Sequence, residues 1–344
     1  MPRPGSAYGA RIGGYTASSD ARHADRLMPS LLVERGMDGP GRCVAELAGP
    51  LFAPVAPGEA VTIELDGGGG KFTVFTGEVY ASTATATGQR VHAADALAKL
   101  ATTEVERAYE SSRADFIARD LIARADAVAG TIAPGPLFDT YVVHRQPRAL
   151  RHLGTLAALS GADVWTDGGG KVQLGLPKTG GGDHCFTLGE DILLLDLHAA
   201  PPAMDGVEVW GEGAADAKGA PAAHWLSTDL EGIAAKAAVG TEGEVREGGT
   251  GTRPQRRTEG ALRSRESVKG FAAAWARSRA ARLVRGCIEV VGAPEVEPGD
   301  LVVIRGLAPE HGAARLLEGG RTLRVRTLRH VLDRARGFRT RLEF

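Results

Sequence analysis

The stretch that decides the fold is the chain end, Leu323–Phe344, LRVRTLRHVLDRARGFRTRLEF. Read with a period of two, Phe338, Thr340, Leu342 and Phe344 fall on one side and Arg339, Arg341 and Glu343 on the other, the pattern of a half-buried strand. Before it, Leu323, Val325 and Thr327 alternate with Arg324 and Arg326, and the polar, glycine-ended segment Asp333–Gly337 is suited to reversing the chain. The two runs predict an antiparallel hairpin. Upstream, Cys287–Leu307 (CIEVVGAPEVEPGDLVVIRGL) sets Glu297-Pro298-Gly299-Asp300 between two strand-like runs. Proline presets φ and glycine supplies positive φ, so a tight turn is predicted there. Four strands in this segment make a small barrel or sandwich.

At 344 residues the chain is long enough for about two domains. With 43% hydrophobic residues it can build a core without disulfides or structural metals, and 47 glycines against 5% aromatics predict a thin, strand-rich one. Basic and acidic residues number 41 and 42, so the net charge of -1 gives no whole-molecule attraction to nucleic acid or an anionic membrane. Cys43, Cys185 and Cys287 are odd in number, far apart and without C-x-x-C spacing; reduced, buried thiols are expected, not a zinc or redox site. The start, MPRPGSAYGARIGGY, lacks the apolar core of a signal peptide, and Asp196 interrupts the apolar run Ile192–Leu195, so no membrane insertion is expected. The expected place of synthesis is the cytoplasm, with exit only by lysis or within an assembly.

In chain order, residues 1–29 show little periodicity and read as a flexible arm ordered only by a partner. Short strand-like runs follow at Leu31–Val33, Arg42–Leu47, Ala60–Leu65, Lys71–Phe75 and Gly77–Ala81, with a hairpin connection at Asp66–Gly70, making 30–96 a first β domain. Helical signals then appear. Ser112 with Asp115 resembles a capping box, and Ile117, Leu121, Ala125 and Val128 share a face up to Gly130. A helix at 148–160 has Pro147 at its start, Leu150, Leu153 and Ala157 as its stripe and Gly161 as its C-terminal residue. With strands at Thr140–Val143, Val164–Thr166 and Val172–Leu174, residues 97–185 read as an α+β insert. Beyond it, 186–344 reads as a second β domain, with strands at Asp191–Leu197 and Gly206–Gly211. Residues 212–222 and 240–267 read as mobile loops, and Val268, Phe271, Ala272, Trp275 and Arg279 define an amphipathic helix.

The order of the C-terminal features resembles the phage late control D proteins, the baseplate hubs of contractile tails, a family shared by contractile injection systems and the hub portion of VgrG spike proteins. The residues that carry the resemblance are a helix ending near Ala281-Arg282, then Gly292-Ala293-Pro294, Pro298-Gly299-Asp300-Leu301-Val302, Val325–His330 and Gly337-Phe338-Arg339-Thr340. The segment Tyr141–Pro177, a strand, a glutamine-centred turn, a helix and a hairpin, extends it to about residues 140–344.

The resemblance implies a mainly β, α+β fold, with two tube-protein-like β-barrel domains around an α+β insert. It implies a structural, non-enzymatic role: a homotrimeric ring adapting a threefold spike to a sixfold inner tube, with contacts to baseplate wedge components. VgrG-type chains continue into a spike, whereas this one ends at Phe344, so the spike is expected as a separate chain. Pro298, Gly299 and Asp300 for the turn, and Phe338, Thr340 and Leu342 for the last strand, are the structural candidates. No catalytic, cofactor-binding or metal-binding residue is expected.

Sharper chemistry is weakly supported. Gly67–Lys71 and Gly168–Lys171 resemble phosphate-cradling loops, but Phe72 and Val172 follow the lysines where Ser or Thr would be needed, and hairpin turns fit better. The nine histidines include no H-E-x-x-H pair, and no G-x-S-x-G marks a nucleophile. Eight arginines between Arg321 and Arg341 lack interleaved aromatics, and read as a solvated face or as cross-strand partners for acids. A tail-tip cell-envelope hydrolase and a DNA-contacting channel protein are the alternative readings.

Overall fold

The computed structural model describes residues 7–19, 27–37, 39–48, 55–211 and 233–344. The first region is built from β1 (Ala7–Ile12), β2 (Tyr15–Ser18), β3 (Leu27–Gly36), β4 (Arg42–Ala48), β5 (Ala60–Asp66), β6 (Lys71–Thr85) and β7 (Gly88–Ala94). The middle region follows as α1 (Ala96–Thr102), β8 (Arg107–Arg113), α2 (Ala114–Arg124), β9 (Ala129–Ile132), β10 (Leu137–Val143), α3 (Ala149–Ser160), β11 (Asp163–Thr166) and β12 (Val172–Gly175). Then come β13 (His184–Thr187), β14 (Ile192–Ala199), β15 (Gly206–Gly211), β16 (Ala234–Val239), β17 (Val245–Glu247), β18 (Pro254–Glu259) and α4 (Arg265–Ala280). The chain closes with β19 (Val284–Val291), β20 (Leu301–Arg305), α5 (Gly312–Leu316), β21 (Leu323–Arg324), β22 (Thr327–Asp333) and β23 (Gly337–Glu343). The mainly β, α+β class expected from the sequence is the class observed.

The terminal hairpin turns at Asp333–Gly337 and its second strand alternates as predicted, but its first strand is Thr327–Asp333 and not the run Leu323–Thr327. In β22 and β23, Leu328 faces Leu342, His330 faces Thr340 and Leu332 faces Phe338, all on the buried side, while Asp333 pairs with Gly337 at the turn. The other side of the same hairpin carries Arg329, Arg339 and Arg341. Phe338 packs into the core of the first region and Leu342 into the C-terminal core, so one strand ties two cores together.

The two β regions are linked strand to strand. β22 pairs antiparallel with β3, Thr327 opposite Gly36 and Asp333 opposite Ser30, which joins both regions in one eleven-stranded sheet of order β14-β19-β23-β22-β3-β4-β7-β6-β5-β1-β2. Residues near both chain ends are thus neighbours, a pairing across nearly 300 residues that local patterning does not reveal.

Other expectations are corrected. Within the arm read at 1–29, Ala7–Ile12 and Tyr15–Ser18 form a hairpin that extends the main sheet along β5, and Leu27 already belongs to β3. Residues 1–6 and 20–26 lie outside the described residues. The supposed loop at 240–267 contains β17 and β18, whose polar residues suit strands with one open face. The loop read at 212–222 lies outside the described residues. Residues 206–211 and 233–280, read with the second β domain, instead pack on the middle region: Val207, Val209, Val268 and Phe271 share a core with Ile117, Leu121, Leu153 and Leu156.

Helix α2 starts at Ala114, after Arg113 and not Ser112, which sits in β8, and Val128 lies beyond the helix and exposed. Lys71–Phe75 and Gly77–Ala81 are one long strand, β6. The run Leu323–Thr327 divides, because Leu323 and Arg324 pair with β20 while β22 begins at Thr327. Of the three thiols Cys43 and Cys287 are buried, whereas Cys185 is exposed on β13.

Candidate functional site: a buried polar junction and the surfaces around it

The turn expected at Pro298, Gly299 and Asp300 is present and docked. The Asp300 amide donates to the Glu297 carbonyl at 3.2 Å and Gly299 has φ 97°, the conformation a type II turn requires at its third position. The Gly299 amide donates to the Val325 carbonyl and the Val325 amide returns a bond to the Asp300 carbonyl, both at 2.8 Å, which pins the turn to the link between β21 and β22.

The Asp300 carboxylate is a second anchor. Its Oδ1 accepts from Lys178 Nζ at 2.6 Å; its Oδ2 accepts from the Glu297 amide and contacts His184 Nε2, each at 2.9 Å. Burial alone would raise its pKa, but these bonds outweigh burial and hold it below the usual carboxylate value. Asp183, also bound to Lys178, accepts from the Leu301 amide at 2.9 Å, so β13 is clasped to the start of β20.

Phe338, Thr340 and Leu342 occupy the buried face of β23 as expected. Thr340 Oγ1 accepts from the Ala293 amide at 3.0 Å and lies 2.9 Å from His330 Nδ1. Burial, reinforced by the nearby Arg35 charge, pushes the His330 pKa down to about 3, so the imidazole is neutral at ordinary pH.

Two residues that sequence reasoning passed over form the centre of the junction. Arg35, on β3 and only 1% exposed, binds Glu297 through both terminal nitrogens, with Nη2 to Oε1 at 3.1 Å, and Nη1 also donates to the Thr166 carbonyl at 3.2 Å. Glu297 Oε1 in turn accepts from the Gly168 amide at 3.2 Å, and Thr76 Oγ1 donates to the Gly168 carbonyl at 3.0 Å. A side chain at Gly168 would stand 1.9 Å from the Thr73 carbonyl oxygen, so only glycine lets this turn approach β6. Arg35 of the first region, the β11–β12 hairpin of the middle region and Glu297 of the C-terminal region therefore meet at one ion pair.

A parallel clamp joins Arg324 and Arg326 to Asp163 of β11. The signal for Arg35 lay in the alternation itself, since Leu31, Val33 and Arg35 share the inward side of β3, where an apolar residue is expected.

This polar cluster ties the three regions together as a mechanical rivet, with Arg35 Nε, Arg324 Nε and Nη2 and His330 Nε2 buried without a hydrogen-bond partner among the described residues. Among the described residues no group of three or more His, Cys, Asp or Glu is arranged to hold a metal ion, and no helix is long and apolar enough to cross a membrane. The surfaces that the rivet fixes are more informative. At the end of the main sheet β14, ILLLDLHA, has β19 as its one ladder partner among the described residues, with a single further bridge from Leu188 to Ile192, and exposes Leu193 and Leu194; it contains no Pro, Gly or Lys to discourage a further strand. On the middle region Phe116 and Leu137 are exposed, and a cleft of about 950 Å³ opens along α3.

No protein-family model matches the sequence, and no curated protein sequence matches it. Solved structures do match across nearly the whole chain. The 43 kDa tail protein of prophage MuSo2 from Shewanella oneidensis has a TM-score of 0.68 at 14% identity, covering 98% of this chain and 97% of its own. The tail protein from Neisseria meningitidis MC58 has the same score and identity, covering 99% and 96%. An Escherichia coli component of the type VI secretion system, described as similar in structure to T4 bacteriophage tail proteins gp27 and gp5, scores 0.55 at 10% identity over 94% of this chain and 74% of its own. These likenesses agree with the resemblance to contractile-tail hubs carried by the C-terminal residues, and the chain has the fold of phage and secretion-system tail proteins.

Proposed function

We propose that the chain is the structural hub of a contractile tail or injection particle: a homotrimeric ring that carries the inner tube on one face and seats a trimeric spike on the other. The observation that carries this reading is the riveted layout. Two β regions form one continuous sheet, and the middle region is locked between them at Arg35–Glu297 and at Asp163 with Arg324 and Arg326. Three copies of such a unit present six β regions with fixed spacing, which is what matching a sixfold tube to a threefold spike requires. The likeness to tail proteins, and to a component of the type VI secretion system, supports the same role. The exposed leucines of β14 are a surface that assembly would cover.

The role is non-enzymatic in this reading, and it needs matched surfaces in place of a catalytic constellation. The test is the place and copy number of the chain in purified particles. Three copies at the tube–spike junction are expected; a chain found in the sheath, or in six copies, would refute the hub assignment.

A further inference from the structure

Helix α3 turns an unusual stripe outward. Arg151, Gly154, Thr155 and Ala158 are exposed and spaced i, i+3, i+4 and i+7, so they form one continuous face. Solvent faces of helices usually carry long polar side chains, yet three of these four are small. Glycine is among the poorest helix formers, and a Cβ at Gly154 would meet nothing within 4 Å, so internal packing gives no reason for it. The stripe forms one wall of the 950 Å³ cleft, whose apolar lining includes Met37, Leu97, Val164 and Phe271. Small residues on such a wall leave room for the backbone of another element to come close.

Charge distinguishes one end of the cleft. Arg151 sits in the first turn of α3, which contains no acidic residue, and the helix dipole adds to its positive potential. Among the described residues its guanidinium has no ion-pair partner. The occupant should therefore present an apolar projection flanked by a carboxylate.

The chain itself carries that projection on other elements. Phe116 is 56% exposed on α2 and Leu137 is 58% exposed at the start of β10. The segments that carry them meet where the Ala114 amide donates to the Pro136 carbonyl at 3.0 Å and Leu137 pairs opposite Arg113. Asp139, two residues on, is exposed and likewise has no ion-pair partner among the described residues. An unpaired cation in a cleft and an unpaired anion near exposed apolar side chains, on different elements of one chain, are the ingredients of a head-to-tail contact.

We infer that the α3 cleft of one copy receives the Phe116–Leu137 knob of the next, with Asp139 set against Arg151, and that this contact closes the ring. The inference rests on the ring reading above and assigns it specific surfaces.

The direct test is cysteine cross-linking of the assembled protein. Phe116→Cys and Thr155→Cys are combined in a Cys185→Ser background, which removes the exposed native thiol and leaves the buried Cys43 and Cys287. Mild oxidation should give covalent dimers and trimers on a denaturing gel from the double variant and from neither single one. A preparation of trimer mass that yields no cross-link would overturn the contact and leave the hub reading standing. Absence of any trimer, even with spike and tube proteins present, would remove both.

A second variant guards against misfolding. Gly154→Gln should keep or raise the melting temperature of the free chain, yet weaken trimer assembly at least roughly tenfold; assembly unchanged from the parent would also overturn the proposal.

Discussion

The two faces of the β22–β23 hairpin use similar chemistry to different ends. Its outer face pairs Arg329 with Glu34 at 2.6 Å and Arg339 with Glu289 at 2.9 Å, both in contact with solvent. Its inner face sets His330 and Thr340 among apolar residues, close to the buried Arg35. Exposed ion pairs gain little over hydration, whereas a buried polar group stripped of its partner is left unsolvated. The arginine-rich appearance of the chain end is therefore a poor guide to what holds it; the few polar groups on the inward side are the ones that matter.

The comparison can be broken most forcefully at the rivet. Glu297→Ala leaves the guanidinium of Arg35 buried at 1% exposure with only the Thr166 carbonyl as a partner, and should destabilise the chain by about 3–5 kcal/mol in urea unfolding. Arg35→Met should cost less, because Glu297 is 32% exposed and can be rehydrated when its partner is lost. Equal losses from the two substitutions would contradict the burial argument.

Leu342→Ala comes next, at about 2–5 kcal/mol, since the side chain is fully buried in the C-terminal core. The same unfolding experiment measures it, and a loss below about 1 kcal/mol would mean that β23 is not the tie between cores.

The inner face also predicts a pH response. His330 is neutral in the fold down to about pH 3, whereas the unfolded chain takes up the proton near pH 6.5. Its contribution is fully present above pH 6.5 and is lost as pH falls toward 3, by at most about 1.4 kcal/mol per pH unit. Chemical denaturation of the parent and of His330→Gln between pH 7 and 4 measures the difference; parallel slopes would place the titration elsewhere. Smallest of all, Arg329→Ala on the outer face should change stability by about 0–1 kcal/mol, with the difference shrinking in high salt.

How much of this was legible follows from the range of each interaction. The last strand with its turn, the Pro298-Gly299 turn and the helix ended by Gly161 are set by neighbours in sequence, and each formed where alternation or turn chemistry put it. The β22–β3 pairing was hidden because any strand with an inward apolar side can pair with many others, and nothing near Thr327 names Gly36 as its partner. The N-terminal strands were missed for a related reason: Ala, Gly and Ser carry little propensity, and β5 supplies the order.

For the junction, Asp300 was anticipated as a turn residue, but its bonds to Lys178 and His184 depend on the parallel pairing of β13 with β20. Arg35 broke the apolar alternation visibly, while Glu297 gave no sign that it would be the matching acid.

The measurement that tests the central claim most directly is the native mass of the chain, alone and after co-expression with its spike and tube proteins. The hub account predicts a species of three times the 35.9 kDa chain mass, capped by three spike chains. A chain that stays monomeric in the presence of both partners would contradict it.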